Sequence, residues 1–327
     1  MRISKKKTSS LLRAASGFLL KKNKLSYFPL RLWIETSSRC NLSCGLCANK
    51  DLAPNQKGDM EMSLFTKIID EAKGLALDVN LFHRGEPLLN ENIFAMISYA
   101  KKAGLYTRLH SNATLLNKKC SEKLLCCGLD YLSFSFDGYQ KQTYEANRTG
   151  ADFEQTLHNI YSFLKLKKEG GYKKPTTLLQ VMEYDQSLGA GDFKRQRKEF
   201  QKTFMDLGLD QFRIRRPHNW GGLIKEVDAG QKHTSSACTF CWYSLTILYD
   251  GKVCLCPQDF EAKNLIGDVH KSSIKKIFNA KEIREFREKN KNGQIEKMFP
   301  CRNCDRIHRK TMMGVPLEYL KAFLSGK

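Results

Sequence analysis

Cys40-Asn-Leu-Ser-Cys44-Gly-Leu-Cys47 puts three thiols into eight residues, just after Leu32-Trp33-Ile34-Glu35, a short apolar run that reads as a buried strand. Spacings of four and three on a loop leaving a strand let the three sulfurs turn toward one point. Three thiolates leave one corner of a tetrahedral site or a cubane cluster open. An open corner is a place for chemistry, because a structural site would take its fourth ligand from nearby. The same run also permits a zinc site or a loop of reduced thiols.

The chain around this run has 327 residues, 41% of them hydrophobic and 10% aromatic, enough for one large domain or a large and a small one. Its formal charge of +21 implies attraction to something anionic: nucleic acid, lipid head groups, a phosphorylated substrate or an acidic redox partner. The 12 cysteines fall in tight clusters, and no convincing signal peptide precedes them. Metal sites in a reducing compartment suit that pattern better than a disulfide framework, so a cytoplasmic protein is expected. Cys120, Cys126 and Cys127 lie in a helical stretch and are expected to be small buried hydrophobes.

Residues 1–34 carry nine Lys or Arg and no acid, with Leu11, Leu12, Phe18, Leu19 and Leu20 between them. Lys21 and Lys22 interrupt the apolar run far short of a spanning helix. Two readings stand: a basic amphipathic arm lying on an anionic membrane, at its inner face, or a solvated extension packing loosely on the barrel. From Arg31 onward strand-like runs at 32–35, 78–82, 106–110, 131–136, 177–183 and 211–215 alternate with helix-like runs at 63–74, 92–103, 117–127, 153–168 and 193–207. That alternation predicts an α/β fold with a parallel, right-handedly wound sheet and active-site loops at the strands' C-terminal ends.

The strand ends carry a family resemblance. Cys40, Cys44 and Cys47 after the first strand resemble the cluster motif of the radical S-adenosylmethionine (SAM) enzymes. Phe82-His83-Arg84-Gly85-Glu86-Pro87 after the second resembles that family's Gly-Gly-Glu-Pro element, with Arg84 where its first glycine stands. His110-Ser111-Asn112-Ala113-Thr114 and Ser133-Phe134-Ser135-Phe136-Asp137-Gly138 resemble its next two elements, and Arg148 matches an arginine that related enzymes aim at the SAM carboxylate. The resemblance implies a partial (β/α)6 radical SAM barrel over 31–217. It implies a [4Fe-4S] cluster on the three cysteines, with SAM bound by Gly85, Glu86, Pro87, Asn112, Ser133, Ser135, Asp137 and Arg148. Arg84 is open between the SAM carboxylate and the substrate.

After a linker over 218–234 comes a cysteine-rich segment, 235–305, and then a basic tail, 306–327. Asp250-Gly251 between two apolar runs signals a β-hairpin. Cys238 and Cys241 precede the hairpin, Cys254 and Cys256 follow it, and Cys301-Arg-Asn-Cys304 comes last. This small domain resembles the SPASM domain, or its shorter twitch form, which binds auxiliary [4Fe-4S] clusters. The family pattern implies Cys238, Cys256, Cys301 and Cys304 as ligands. Cys241 and Cys254 remain open as substitutes, with Cys254 first because alternate residues of a strand share a face. A four-cysteine zinc ribbon has a compatible spacing.

Together these features imply a radical SAM enzyme that abstracts hydrogen from a small polar metabolite (an amino sugar, cyclitol or glycan precursor) for a two-electron oxidation assisted by the auxiliary cluster. A flavodoxin- or ferredoxin-type protein would donate the electron. A peptide-modifying maturase is the second enzyme reading. A basic zinc-containing nucleic-acid-binding protein is the alternative from another class, although no nucleic-acid-binding signature is present and no specific nucleic acid is expected. His218, Asp259 and Glu183 are the candidate catalytic groups.

Overall fold

The computed structural model describes residues 5–183, 190–215, 217, 219–225, 227 and 237–304, together with the short paired strands Thr311–Met312 and Val315–Pro316. It opens with helix α1 (Lys5–Leu19) and strand β1 (Arg31–Ile34). Strands and helices then alternate: α2 (Met62–Ala72), β2 (Asp78–Asn80), α3 (Ile93–Lys102), β3 (Tyr106–Ser111), α4 (Lys118–Cys126) and β4 (Tyr131–Asp137). They continue as α5 (Lys141–Asn147), α6 (Phe153–Glu169), β5 (Thr176–Met182), α7 (Ala190–Asp206) and β6 (Gln211–Arg215). The final segment holds α8 (Phe240–Tyr243), β7 (Ser244–Ile247), β8 (Lys252–Cys254), β9 (Leu265–Asp268), α9 (Ile274–Ile277) and α10 (Lys281–Lys291). The chain divides into two compact units: residues 34–69 with 78–217, and residues 1–33 with 70–77 and 218–327.

In the first unit β2 to β6 form a parallel sheet in sequence order. Parallel sheets are covered on both faces, and β4 is accordingly buried at every position except Ser135. Its helices turn one apolar stripe inward, as in α3, where Ile93, Met96, Ile97 and Ala100 are buried at helical spacing. Two strand pairs are fastened alike at their starting ends. Asp130, just before β4, accepts from Thr107 N at 3.1 Å, Lys101 Nζ reaches it at 2.6 Å, and its own N–H donates to Thr107 Oγ1 at 3.1 Å. Asp210, just before β6, repeats the arrangement with Thr177 N at 2.7 Å, Lys167 Nζ at 2.6 Å and Thr177 Oγ1 at 3.1 Å.

In the second unit β7 and β8 pair antiparallel around the Asp250-Gly251 turn, where Gly251 has φ +83°, and β9 pairs antiparallel with β8. The N-terminal arm is part of this unit's core and not a loose extension. Phe18 of α1 packs edge-on against Trp242 with ring centroids 5.5 Å apart, and Trp242 Nε1 donates to Lys22 O at 2.9 Å. The Tyr27 hydroxyl donates to Trp242 O at 2.8 Å, and Asn279 brackets Leu25 through both its N–H and its carbonyl. The opposite side of α1 leaves Leu12 and Leu19 exposed, as is Leu20 just beyond the helix. No helix among the described residues is long and apolar enough to cross a membrane.

Candidate active site and a thiol-lined cavity

The cysteine loop leaves β1 and is pinned from several sides. Gly45 N donates to Asn147 O and Ser43 N to Thr149 O, each at 3.0 Å, so the loop lies along the end of α5 beside Arg148. Asn112 Nδ2 donates to Asn41 Oδ1 at 3.0 Å, tying it to the end of β3. Buried Asn49 donates to Ser38 O at 2.7 Å and Arg84 O at 2.8 Å, closing the loop onto the turn after β2.

Gly85 fills a tight place in this arrangement. A Cβ there would stand 2.3 Å from Arg39 O and 2.7 Å from Ser37 O. The close approach that requires glycine is therefore to the backbone of the cysteine loop. Glu86 N donates to Arg39 O at 2.8 Å, extending the same contact, and Pro87 is buried and opens the short turn that follows.

Cys40, Cys44 and Cys47 are partly exposed and free of disulfides. Their thiols stand within electrostatic reach of one another, and each feels the guanidinium of Arg148. Burial pushes all three thiols up, Cys44 to about 11. The backbone N–H groups of Leu42 and Asn49 act in the other sense on Cys40 and Cys47, favouring thiolate. Among the described residues no three His, Cys, Asp or Glu side chains close to the spacing of a single bound ion.

The polar groups expected from the strand ends fall into three situations. Arg148 is buried and its Nη2 donates to Asp137 Oδ1 at 3.1 Å, while its Nε has no partner. Ser133 Oγ on β4 is likewise buried without a partner, and Ser135 is half-buried. Glu86 is already engaged by the chain: its oxygens accept from Asn112 N at 2.7 Å and Leu88 N at 3.1 Å, and burial pushes its carboxyl up to about 7. Arg84, open in the sequence, is buried in an ion pair with Glu35.

The candidate bases are also occupied. Asp259 is buried and caps the turn at Lys263 N, 3.0 Å, and Asn264 N, 2.7 Å. Glu183 accepts two bonds from Arg197, at 2.8 and 2.7 Å, and one from the Tyr139 hydroxyl. His218 lies outside the described residues. Cys126 is exposed and Cys120 and Cys127 are half-buried, not core residues, because α4 turns Ser121, Leu124 and Leu125 inward instead.

In the other unit a cavity is lined by Cys238, Cys241, Cys256, Cys301, Cys304 and Gln258. Cys256 and Cys301 each feel the charge of Cys238 and Cys304, so these four thiols converge. Burial pushes Cys256, Cys301 and Cys241 up strongly. Cys254 does not line the cavity. Strand β8 ends at Cys254, so the alternation that would put Cys254 and Cys256 on one face does not extend to Cys256. Cys241 is the fifth thiol at the cavity, and its sulfur accepts from Asn290 Nδ2 at 3.4 Å. Gln258 Oε1 is buried there without a partner.

Both donor sets therefore fit iron–sulfur clusters: three convergent thiols beside an unpaired arginine nitrogen, and a closed group of thiols with an unpaired amide oxygen. Comparison with known proteins agrees. The model of the radical SAM superfamily matches residues 34–179, and that of the SPASM iron-sulfur cluster-binding domain matches residues 238–305. The tungsten-containing aldehyde ferredoxin oxidoreductase cofactor-modifying protein of Pyrococcus furiosus is 27% identical over 181 residues, 55% of this chain and 49% of that one. The PqqA peptide cyclase of Gluconobacter oxydans is 29% identical over 108 residues, 33% of this chain and 30% of that one. The aligned stretch thus spans half or less of the length of these relatives. Among solved structures, BtrN in complex with AdoMet and 2-DOIA superposes with a TM-score of 0.58 at 17% identity, over 86% of this chain and 94% of that one, a likeness of fold. The chain is a member of the radical SAM superfamily with a C-terminal SPASM-type iron–sulfur domain, and its cofactors are a [4Fe-4S] cluster, SAM and auxiliary iron–sulfur.

Proposed function

We propose that this protein cleaves SAM reductively and uses the resulting radical to take a hydrogen atom from a small polar metabolite, such as an amino sugar, cyclitol or glycan precursor. The observation that carries the reading is the convergence of Cys40, Cys44 and Cys47 on Arg148, whose Nε has no partner. When bound, the cluster and SAM supply a 5′-deoxyadenosyl radical by one-electron cleavage of the C5′–S bond, with methionine leaving.

The chain's own residues bind and orient. Cys40, Cys44 and Cys47 hold the cluster by three corners. Arg148, kept in place by Asp137, donates its free N–H to the SAM carboxylate. Glu86 accepts a backbone N–H on each oxygen and a bond from the Ser111 hydroxyl as well, and its remaining lone pair is offered to the SAM ammonium. An ammonium at that point would return the carboxyl to its ionised form. Ser133 and Ser135 present hydroxyls from β4 to the ribose. Gly85 and Pro87 shape the turn, and Asn112 holds the loop through Asn41.

In the second unit Cys238, Cys256, Cys301 and Cys304 would hold one auxiliary cluster, which would supply an acceptor for the second electron of the oxidation. A flavodoxin- or ferredoxin-type donor would supply the electron for SAM cleavage, and the first oxidising equivalent leaves the substrate with its hydrogen atom. The exposed Leu12, Leu19 and Leu20, beside Arg13, Lys22 and Lys24, support contact of α1 with an anionic membrane surface. Co-sedimentation with anionic but not neutral vesicles is the expected result.

The anaerobically reconstituted protein with SAM and a reductant should form 5′-deoxyadenosine, and a triple Cys40, Cys44, Cys47→Ala variant should not. A panel of cyclitols and amino sugars should raise the rate. A rise with leader peptides alone would establish the second reading, a peptide maturase, which the similarity to PqqA peptide cyclase favours.

A further inference from the structure

Beside the thiol-lined cavity lies a cation with no carboxylate to balance it. Arg287 on α10 is fully buried. Its Nε donates to Cys241 O at 2.9 Å, Nη1 to Asn23 O at 2.9 Å and Nη2 to Phe278 O at 2.8 Å. Among the described residues no Asp or Glu pairs with it, and its charged or ionisable neighbours are Cys241, Tyr27 and Arg284. Carbonyl dipoles satisfy the N–H groups but do not neutralise the charge, and a buried charge without a counter-ion is among the costliest groups a fold can hold.

The rest of α10's inner face points to the source of the missing negative charge. Phe286 lines the cavity. Asn290, one turn beyond Arg287, donates to Cys241 Sγ at 3.4 Å and to Cys238 O at 2.8 Å, and accepts from Cys238 N at 3.0 Å. It thereby fixes the Cys238–Cys241 turn to the helix. A second cation stands nearby: Lys21 Nζ lies 3.6 Å from the centroid of the Phe18 ring and 5.3 Å from that of Trp242, within electrostatic reach of Cys241.

We infer that Arg287, assisted by Lys21, is the built-in counter-charge of the auxiliary cluster and raises that cluster's reduction potential. This rests on the reading of the cavity as a cluster site. A four-thiolate [4Fe-4S] centre is anionic and gains one further negative charge, with no proton, when it takes an electron. A fixed positive charge at short range in a poorly solvated interior stabilises the reduced form more than the oxidised one. Arg287 is thus a positioning and electrostatic residue that lets the cluster accept an electron from an oxidisable substrate radical. Lys21 is half-buried and better screened, so its effect has the same sign and is smaller.

The test uses the full chain carrying Cys40, Cys44 and Cys47→Ala, so that only the C-terminal cluster contributes. Its midpoint potential is measured by redox titration, and its iron content and thermal stability are measured in parallel. Arg287→Gln, which keeps donors and loses the charge, should shift the potential negative. Lys21→Met should shift it less in the same direction, and Arg287→Lys should stay near the parent. An unchanged potential in cluster-loaded Arg287→Gln overturns the inference. Should that variant fail to load, an unchanged potential in Lys21→Met overturns it. Loss of iron and stability in Arg287→Gln and Arg287→Lys alike, with no shift of potential, would assign Arg287 a purely structural role. Absence of any cluster from the parent would instead refute the reading of the cavity.

Discussion

Arg84 and Glu35 grip each other in a two-pronged ion pair sealed from solvent, Nε to Oε1 at 2.6 Å and Nη2 to Oε2 at 2.8 Å. The pair links the end of β1, where the cysteine loop begins, to the turn that carries Gly85 and Glu86. Removing one member strands the other as a buried charge. Arg84→Met should cost about 3–5 kcal/mol of unfolding free energy. The double variant with Glu35→Leu should recover most of it in urea titrations. A single-variant loss below about 1 kcal/mol would show that the pair is relaxed or hydrated in solution.

Ala113 sits at φ +63°, fully buried, in the turn after β3. An L-residue pays roughly 1–2 kcal/mol for that left-handed conformation, and glycine gives back up to about 1 kcal/mol through the entropy of the unfolded chain. Ala113→Gly should therefore stabilise the protein by about 0.5–1 kcal/mol. Chemical denaturation of both proteins checks the sign, and a destabilised variant would mean that the lost methyl contact outweighs the relief.

Burial alone would raise the carboxyl of Asp210, but the Lys167 ammonium and the hydrogen bonds from Thr177 outweigh it and hold the group below its usual range. A depressed acid stabilises the fold at neutral pH, and that contribution disappears as the pH falls through the folded value. Asp210→Ala should cost about 1 kcal/mol at pH 7, discounted for partial exposure. The gap between wild type and variant should narrow as the pH is lowered below about 4. A gap constant from pH 7 to pH 3 would assign the loss to packing alone.

The cysteines divide into those that face a cavity and those that do not. Cys254→Ala should leave the iron content of the reconstituted protein unchanged, whereas Cys256→Ala or a Cys301, Cys304→Ala pair should remove the C-terminal cluster. The triple Cys40, Cys44, Cys47→Ala variant should keep that cluster and lose the other. Equal iron loss from Cys254→Ala and Cys256→Ala would mean that Cys254 reaches the cavity when the cluster is bound.

The alternation of strands and helices from Arg31 to Arg215 was legible because each element repeats a simple period. In α3 it is helical; in the parallel strands it is a short apolar run between polar turns. The strand-end motifs were legible for the same reason, since they follow strands whose ends the pattern marks. Partnership was not. Arg84 reads as a loose guanidinium until β1 and β2 bring Glu35 to it, and the tight fit of Gly85 against the backbone of the cysteine loop carries no local mark. The helix α10 escaped because the part of its sequence that faces inward includes Arg287 and Asn290, polar residues that a pattern search assigns to solvent. Cys254 stayed open as a substitute for Cys256 because the point where β8 ends carries no compositional mark. The arm's role in the core depended on Trp242, more than 220 residues away from Phe18, a contact that no local pattern announces.

The two matching Asp–Thr–Lys fastenings, at Asp130 and Asp210, both lie where strands begin, while the cysteine loop, Glu86, Asn112 and Asp137 all lie where strands end. Mechanical cohesion and chemical variability are thereby assigned to opposite rims of one sheet. A rim held by short, repeated, side-chain-to-backbone latches tolerates exchange of the loops on the other rim, because no latch passes through them. Grafting the strand-end loops of a relative onto this sheet, with the Arg84–Glu35 pair kept, should then alter what is bound before it alters whether the sheet assembles.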